Sequence, residues 1–167
     1  IYMKRYLGGN DAERAAALFA IASTGAPEAA EILIDAATAA SFRRDPTGAV
    51  QALLLYAKKI GLSGEVKKME RIASQVIDAS REQEAASQRL AAMSVIAEVK
   101  GSDALGMLLE AADDPDLAIR GGVLRLAAGI PGSDVTKKWI NRYAKVSDAA
   151  KPEILFMLGE RGDELAV

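Results

Sequence analysis

The sequence predicts an all-α fold, an α-solenoid of paired helices. Three observations carry that prediction. Five apolar segments each run into a glycine: LFAIASTG (Leu18 to Gly25), LLYAKKIG (Leu54 to Gly61), SVIAEVKG (Ser94 to Gly101), RLAAGIPG (Arg125 to Gly132) and FMLGERG (Phe156 to Gly162). These glycines are spaced by 36, 40, 31 and 30 residues, and each step holds two helical patterns. A recurrence of about 20–50 residues marks a repeat architecture whose units stack to share a core. Composition agrees: 50% of residues are apolar but only 5% aromatic, with alanine prominent. Small and straight-chain apolar residues favour close helix packing. β-branched runs bounded by turns are missing.

Taken in order, the elements justify themselves locally. Asn10 caps a first helix, with Glu13 three residues on to answer it. Ala15, Leu18, Phe19 and Ala22 follow at helical spacing and predict one buried face. Gly25-Ala26-Pro27 turns the chain into a second helix burying Ala30, Leu33, Ile34 and Ala37. Asp45-Pro46 opens a third, with Val50, Leu53, Leu54 and Ala57 inward. Ser63 is read as the cap of a fourth, carrying Val66, Met69, Ala73 and Val76. The polar run from Asp78 to Gln88 reads either as a solvated helical extension or as a loop within a pair. A fifth helix shows Ala92, Val95, Ile96 and Val99, and Gly101-Ser102-Asp103 leads to a sixth with Leu105, Leu108, Leu109 and Ala112. Asp114-Pro115 opens a seventh (Ile119, Val123, Leu126, Ile130) and Gly132-Ser133-Asp134 an eighth (Val135, Trp139, Tyr143, Val146). Ser147 is read as the cap of a ninth, with Ile154, Leu155 and Leu158 buried. That makes about four helix pairs with partial repeats at the ends, in one domain over 1–167: weaker repeats over 10–80, a polar insertion near 78–88, clearer repeats over 89–162.

The segment from Asp113 to Gly162 resembles HEAT-like repeats. Asp113-Asp114-Pro115-Asp116-Leu117-Ala118-Ile119-Arg120 is similar to their D-x-x-x-x-V/I-R loop and helix start, followed by small and apolar positions (Gly121, Gly122, Val123, Leu126, Ala127) and a glycine turn. The likeness is clearest over residues 102–162 and degenerate over 10–100, where Gln51 stands at the arginine position. The resemblance implies a right-handed α-α superhelix and an Asp–Arg ladder tying adjacent repeats, with Asp116 and Arg120 at the matching positions. It also implies that the second helix of each pair lines the concave face. Members of this kind serve as interaction scaffolds. Others accompany catalytic domains in larger bacterial enzymes, including carbohydrate-active ones, and a few resemble DNA glycosylases.

Composition narrows the chemistry. There is no histidine and no cysteine, which removes the commonest general base, thiolate nucleophiles and zinc sites built from those ligands. No calcium loop or phosphate-binding glycine loop is present. The acidic run Asp113-Asp114-Pro115-Asp116 fits helix capping better than a metal. The expectation is a non-catalytic segment without cofactor or metal. A net charge of −2 with pI near 5.3 argues against general nucleic-acid binding. No run approaches the ~18 apolar residues that span a bilayer. The opening IYMKRYL reads as the interior of a helix and the closing Asp163 to Val167 as the start of another. The expectation is therefore a piece of a longer protein, with compartment and oligomeric state left open.

Two basic stripes stand out as candidate partner-binding residues: Lys67, Lys68 and Arg71 on the fourth helix, and Lys137, Lys138, Arg142 and Lys145 on the eighth. Both are second helices of their pairs. They suit an acidic partner, either another protein or a neighbouring domain of the same chain. The plainer reading is a solvated face balanced by acids elsewhere. Trp139 and Tyr143 sit at i, i+4 and fit the inter-repeat core.

Overall fold

The computed structural model describes residues 6–82 and 85–166, and among them there is no strand. The helices are α1 (Asp11–Thr24), α2 (Ala29–Ala39), α3 (Ala49–Leu62), α4 (Val66–Glu82), α5 (Ala86–Lys100), α6 (Leu105–Ala111), α7 (Leu117–Ala128), α8 (Ser133–Tyr143) and α9 (Lys151–Arg161). Short 3₁₀ turns occupy Gly101–Ala104 and Glu164–Ala166. The polar run after Asp78 begins as helix, continuing α4 to Glu82; its residues 83–84 lie outside the described residues, as does most of the opening IYMKRYL. The chain divides into two compact units, Ile1–Val99 and Lys100–Val167.

In the first unit, α3 packs against α1, α2 and α4. Its apolar face is buried as its spacing requires: Val50, Leu53, Leu54 and Ala57 are all inside, joined by Tyr56. Gly61 sets how close the neighbours come. A Cβ there would lie 2.9 Å from Met69 Cγ on α4 and 3.0 Å from Val99 Cγ2 on α5. Near the C-terminal ends of α1 and α3, the Lys59 ammonium donates to the Ser23 carbonyl, a contact spanning 36 residues. Further back, the Phe19 ring covers the left-handed turn at Gly48. The two contacts fall in the same order on both helices, so α1 and α3 run in the same sense.

In the second unit, α7 packs on α6 and α9, α9 also meets α8, and α6 meets α8. Three ties join α7 and α9 and the loops that lead into them. Asp113 Oδ1 accepts from the Ser147 amide at 3.1 Å and its hydroxyl at 2.7 Å, 34 residues on. Arg120 donates from Nε to Glu153 at 3.1 Å, 33 residues on. Arg161 Nη1 donates to the Ala127 carbonyl at 2.9 Å, 34 residues back. The first two sit at the starts of α7 and α9 and the third at their ends. The two helices are therefore parallel, in one register.

Several local expectations need correction. Phe19 is 41% exposed, because its ring lies across the turn at Gly48 with one face open; Ala17 and Ile21 take the buried positions instead. Leu155 is exposed as well, on a side of α9 that no described helix covers. Ser63 is not an N-cap: it ends α3, its hydroxyl donating to the Lys59 carbonyl at 3.0 Å. Ser147 is spent on Asp113 and α9 starts only at Lys151, with Pro152 in its first turn. At the seventh helix the cap is Asp116 rather than Asp114. Asp116 Oδ1 accepts from the Ala118 amide at 2.8 Å, while Asp114 Oδ1 accepts from the Asp116 amide at 2.9 Å and shapes the turn. The box at Asn10 and Glu13 forms in both directions.

Candidate interaction surface

The two basic stripes lie in different units. On α4, Lys67 and Arg71 point to solvent and have no ion pair among the described residues. Lys68 differs. It is half-buried, its ammonium donates to Tyr56 Oη at 3.3 Å, and it stands 5.8 Å above the Tyr56 ring centre. That geometry satisfies the charge by a phenol oxygen and a π face together, so Lys68 serves its own unit. Its stem covers the top of a tyrosine whose ring is fully buried.

On α8 the positions Val135, Thr136 and Trp139 are buried, so the intervening cations face out. Trp139 is fully buried and its indole N–H finds no acceptor; it is core. Lys137 makes a long 3.5 Å pair with Asp134, one turn back on the same exposed face, an arrangement that contributes little in water. Lys138, Arg142 and Lys145 have no ion pair among the described residues. With Leu109, Glu110 and Asn141 they line a shallow trough of about 250 Å³ between α6 and α8. The Arg142 Nε is itself buried and without a hydrogen-bond partner. Three cations against one carboxylate over an apolar floor leave the trough positive.

The positive charge also acts inward. Hydrogen bonds from the Ser147 hydroxyl and amide hold the Asp113 carboxyl below its ordinary pKa, and the nearby charges of Arg142 and Arg120 add to the effect. Asp116 and Arg120 do not touch each other's side chains. Asp116 caps α7, whereas Arg120 forks between Glu153, through Nε and Nη2 at 3.1 and 3.3 Å, and the Asp114 carbonyl at 2.8 Å.

Sequence reasoning missed the most heavily bonded side chain of this unit. The Arg161 side chain is 3% exposed. Its Nε donates to Thr136 Oγ1 at 2.9 Å, Nη1 to the carbonyls of Ala127 and Ile130 at 2.9 and 2.6 Å, and Nη2 to the Gly132 carbonyl at 3.1 Å. Asp163 pairs with its guanidinium at 3.5 Å and also accepts from the buried Thr136 hydroxyl. A fork of five donors is the one side chain that satisfies three carbonyls and a hydroxyl at once. Its only signal in the sequence was an arginine beside the last glycine turn.

Among the described residues no group of three His, Cys, Asp or Glu is arranged to hold a metal, and no helix is long and apolar enough to cross a membrane. Comparisons with family models, with curated proteins and with solved structures gave no match.

Proposed function

We propose that this chain is a non-catalytic interaction module of HEAT-like, α-solenoid type, which presents the outer faces of its second helices, α4 and α8, to an acidic partner. The solenoid part is supported by the recurrence of one contact register. Ties at separations of 33, 34 and 36 residues join parallel first helices in both units, as stacked pairs would. The single observation that carries the binding part is the α6–α8 trough. Lys138, Arg142 and Lys145 line it without an ion pair among the described residues, against the single carboxylate of Glu110. Charges arranged in this way give a partner both steering and register.

The partner is a protein segment rather than nucleic acid, since the chain as a whole is acidic and duplex binding needs net phosphate neutralisation. A glutamate-rich peptide titrated against the protein tests the reading. Binding that weakens as salt rises, and that is lost on charge reversal of Lys137, Lys138 and Arg142, is the expected result. Because Arg142 is half-buried, K138E/K145E is a second variant confined to exposed positions. Binding that ignores both variants sinks the proposed surface, and salt-sensitive duplex DNA binding would move the partner class to nucleic acid.

A further inference from the structure

We propose that the groove between α7 and α9 is a self-association surface, and that its occupant is the same face of a second copy of this chain. The groove measures about 600 Å³; Leu124 and Ala128 on α7 and Pro152, Phe156 and Met157 on α9 form its apolar lining. Phe156 is 71% exposed, more than any other large apolar side chain on this face. Opposite it stands Gly121, where an added Cβ would meet nothing closer than Arg125 Nη1 at 3.7 Å. One wall thus carries a knob and the other a gap. The charged rim has the same asymmetry. Arg125 belongs to α7 and Glu160 to α9, and neither has an ion-pair partner among the described residues.

These features are level with one another. The ties between α7 and α9 join residues 33 and 34 apart. Gly121 and Phe156, like Arg125 and Glu160, are offset from that register by no more than two residues, about 3 Å of helix rise. Consider a twofold axis running along the groove, parallel to both helices. It lays α7 of one copy over α9 of the other at the same height. Each Phe156 then descends into the other copy's Gly121 gap, and each Arg125 faces the other copy's Glu160. The Arg125 guanidinium already lies over Gly121, so the incoming ring stacks on its planar face. A patch complementary to itself in both shape and charge is what an isologous dimer requires; a foreign helix would need only one of the two walls. This surface is built from first helices and is independent of the trough on α8.

Sedimentation of the full chain over a range of concentrations tests the proposal. The expected result is a monomer–dimer equilibrium whose dissociation constant rises at least about tenfold, or 1.4 kcal/mol, in Phe156→Asp and in Gly121→Leu. Gly121→Leu removes a helical glycine, and its Cβ would make only an ordinary contact, 3.7 Å, with the end of the flexible Arg125 side chain, so its melting temperature should not fall; that separates lost pairing from lost folding. Arg125→Glu and Glu160→Arg should each weaken the dimer, and R125E/E160R together should restore it, because the twofold regenerates both pairs with signs exchanged. A chain that stays monomeric at every soluble concentration overturns the proposal. So does a dimer indifferent to Phe156→Asp, or a double charge swap no better than either single one. If the monomeric chain instead binds an added leucine-rich amphipathic peptide in this groove, the occupant is a foreign helix.

Discussion

Replacing Arg161 by methionine keeps the length of the side chain and removes every donor. The carbonyls it serves are not equally dependent on it. Ala127 O still accepts from the Ile130 amide at 3.1 Å, and Gly132 O from the Val135 amide at 3.1 Å. Ile130 O has no other donor among the described residues, and Thr136 Oγ1, fully buried, loses its only N–H. Two hydrogen bonds to a charged donor, each contributing about 1.5–3 kcal/mol, are therefore lost without replacement. Against this, methionine avoids the desolvation of a buried guanidinium, and Asp163, one-third exposed, regains water. The balance is a destabilisation of about 2–4 kcal/mol. Urea denaturation followed by circular dichroism reads it directly, as a lower midpoint at unchanged slope. Arg161→Lys should recover less than half of the loss, since an ammonium offers three donors from one point where the guanidinium offers five in a planar fork. A loss below about 0.5 kcal/mol for methionine, or a lysine variant as stable as the parent, would refute the claim that the fork holds the ends of α7 and α9 together.

Three further outcomes follow from the same geometry. Gly61→Ala and Gly106→Ala should have opposite signs in thermal unfolding. Both gain about 1 kcal/mol of helix propensity, but the new methyl at 61 sits 2.9–3.1 Å from Met69 and Val99, whereas that at 106 meets nothing within 4 Å; the clash offsets the gain by about 1–3 kcal/mol. Acid should loosen the tie between the loops before α7 and α9. The folded pKa of Asp113 is depressed by the Ser147 hydrogen bonds, so its contribution is complete at neutral pH, above the ordinary carboxylate value, and is lost as pH falls through the folded value; Ser147→Ala should flatten that part of an acid-unfolding curve and raise the Asp113 carboxyl pKa in an NMR titration. The surface pair of Lys58 and Glu98, both about 40–45% exposed, should contribute under ~1 kcal/mol, as Glu98→Gln measured in low and high salt will show.

Much of the fold was legible because the helical period and its punctuation are local. The buried faces of α3 and α7 follow from spacing alone: Val50, Leu53, Leu54 and Ala57, then Ile119 and Val123, are all inside. Asn10 with Glu13 was readable as a capping box because both partners lie within four residues. Failures came where a nonlocal partner competed for a residue with a good local use. Ser147 has the chemistry of a cap, but Asp113, 34 residues away, takes its amide and hydroxyl. Phe19 fits the buried stripe of α1, yet its ring lies against the nonlocal turn at Gly48 and stays 41% exposed. The cations of both stripes could be placed on outward faces from the sequence. That Lys68 is consumed by Tyr56 while Lys138 and Arg142 line a trough was not readable, because it depends on which helices lie alongside.

If the chain is the proposed stack of helix pairs, the contact register accounts for a repeat motif that fades along the chain while the spacing of the ties does not. Of the side chains that tie α1 to α3 and α7 to α9, Arg161 and Lys59 bond chiefly to backbone carbonyls, those of Ala127, Ile130, Gly132 and Ser23. A carbonyl acceptor is supplied by any residue, so it imposes no sequence on the partner. Only the donor must be long and cationic, and it need not hold one fixed place: Arg120 sits in the first turn of its helix and Arg161 in the last. Where the acceptor is a side chain, as at Glu153, both positions are constrained and a motif survives. A stack braced mainly through carbonyls keeps its period under substitution but loses its signature residues. On that reading the glycine spacing outlasts the Asp–Arg motif, since turns need particular backbone angles (Gly25 and Gly162 at φ 66° and 62°) that few other residues adopt without strain.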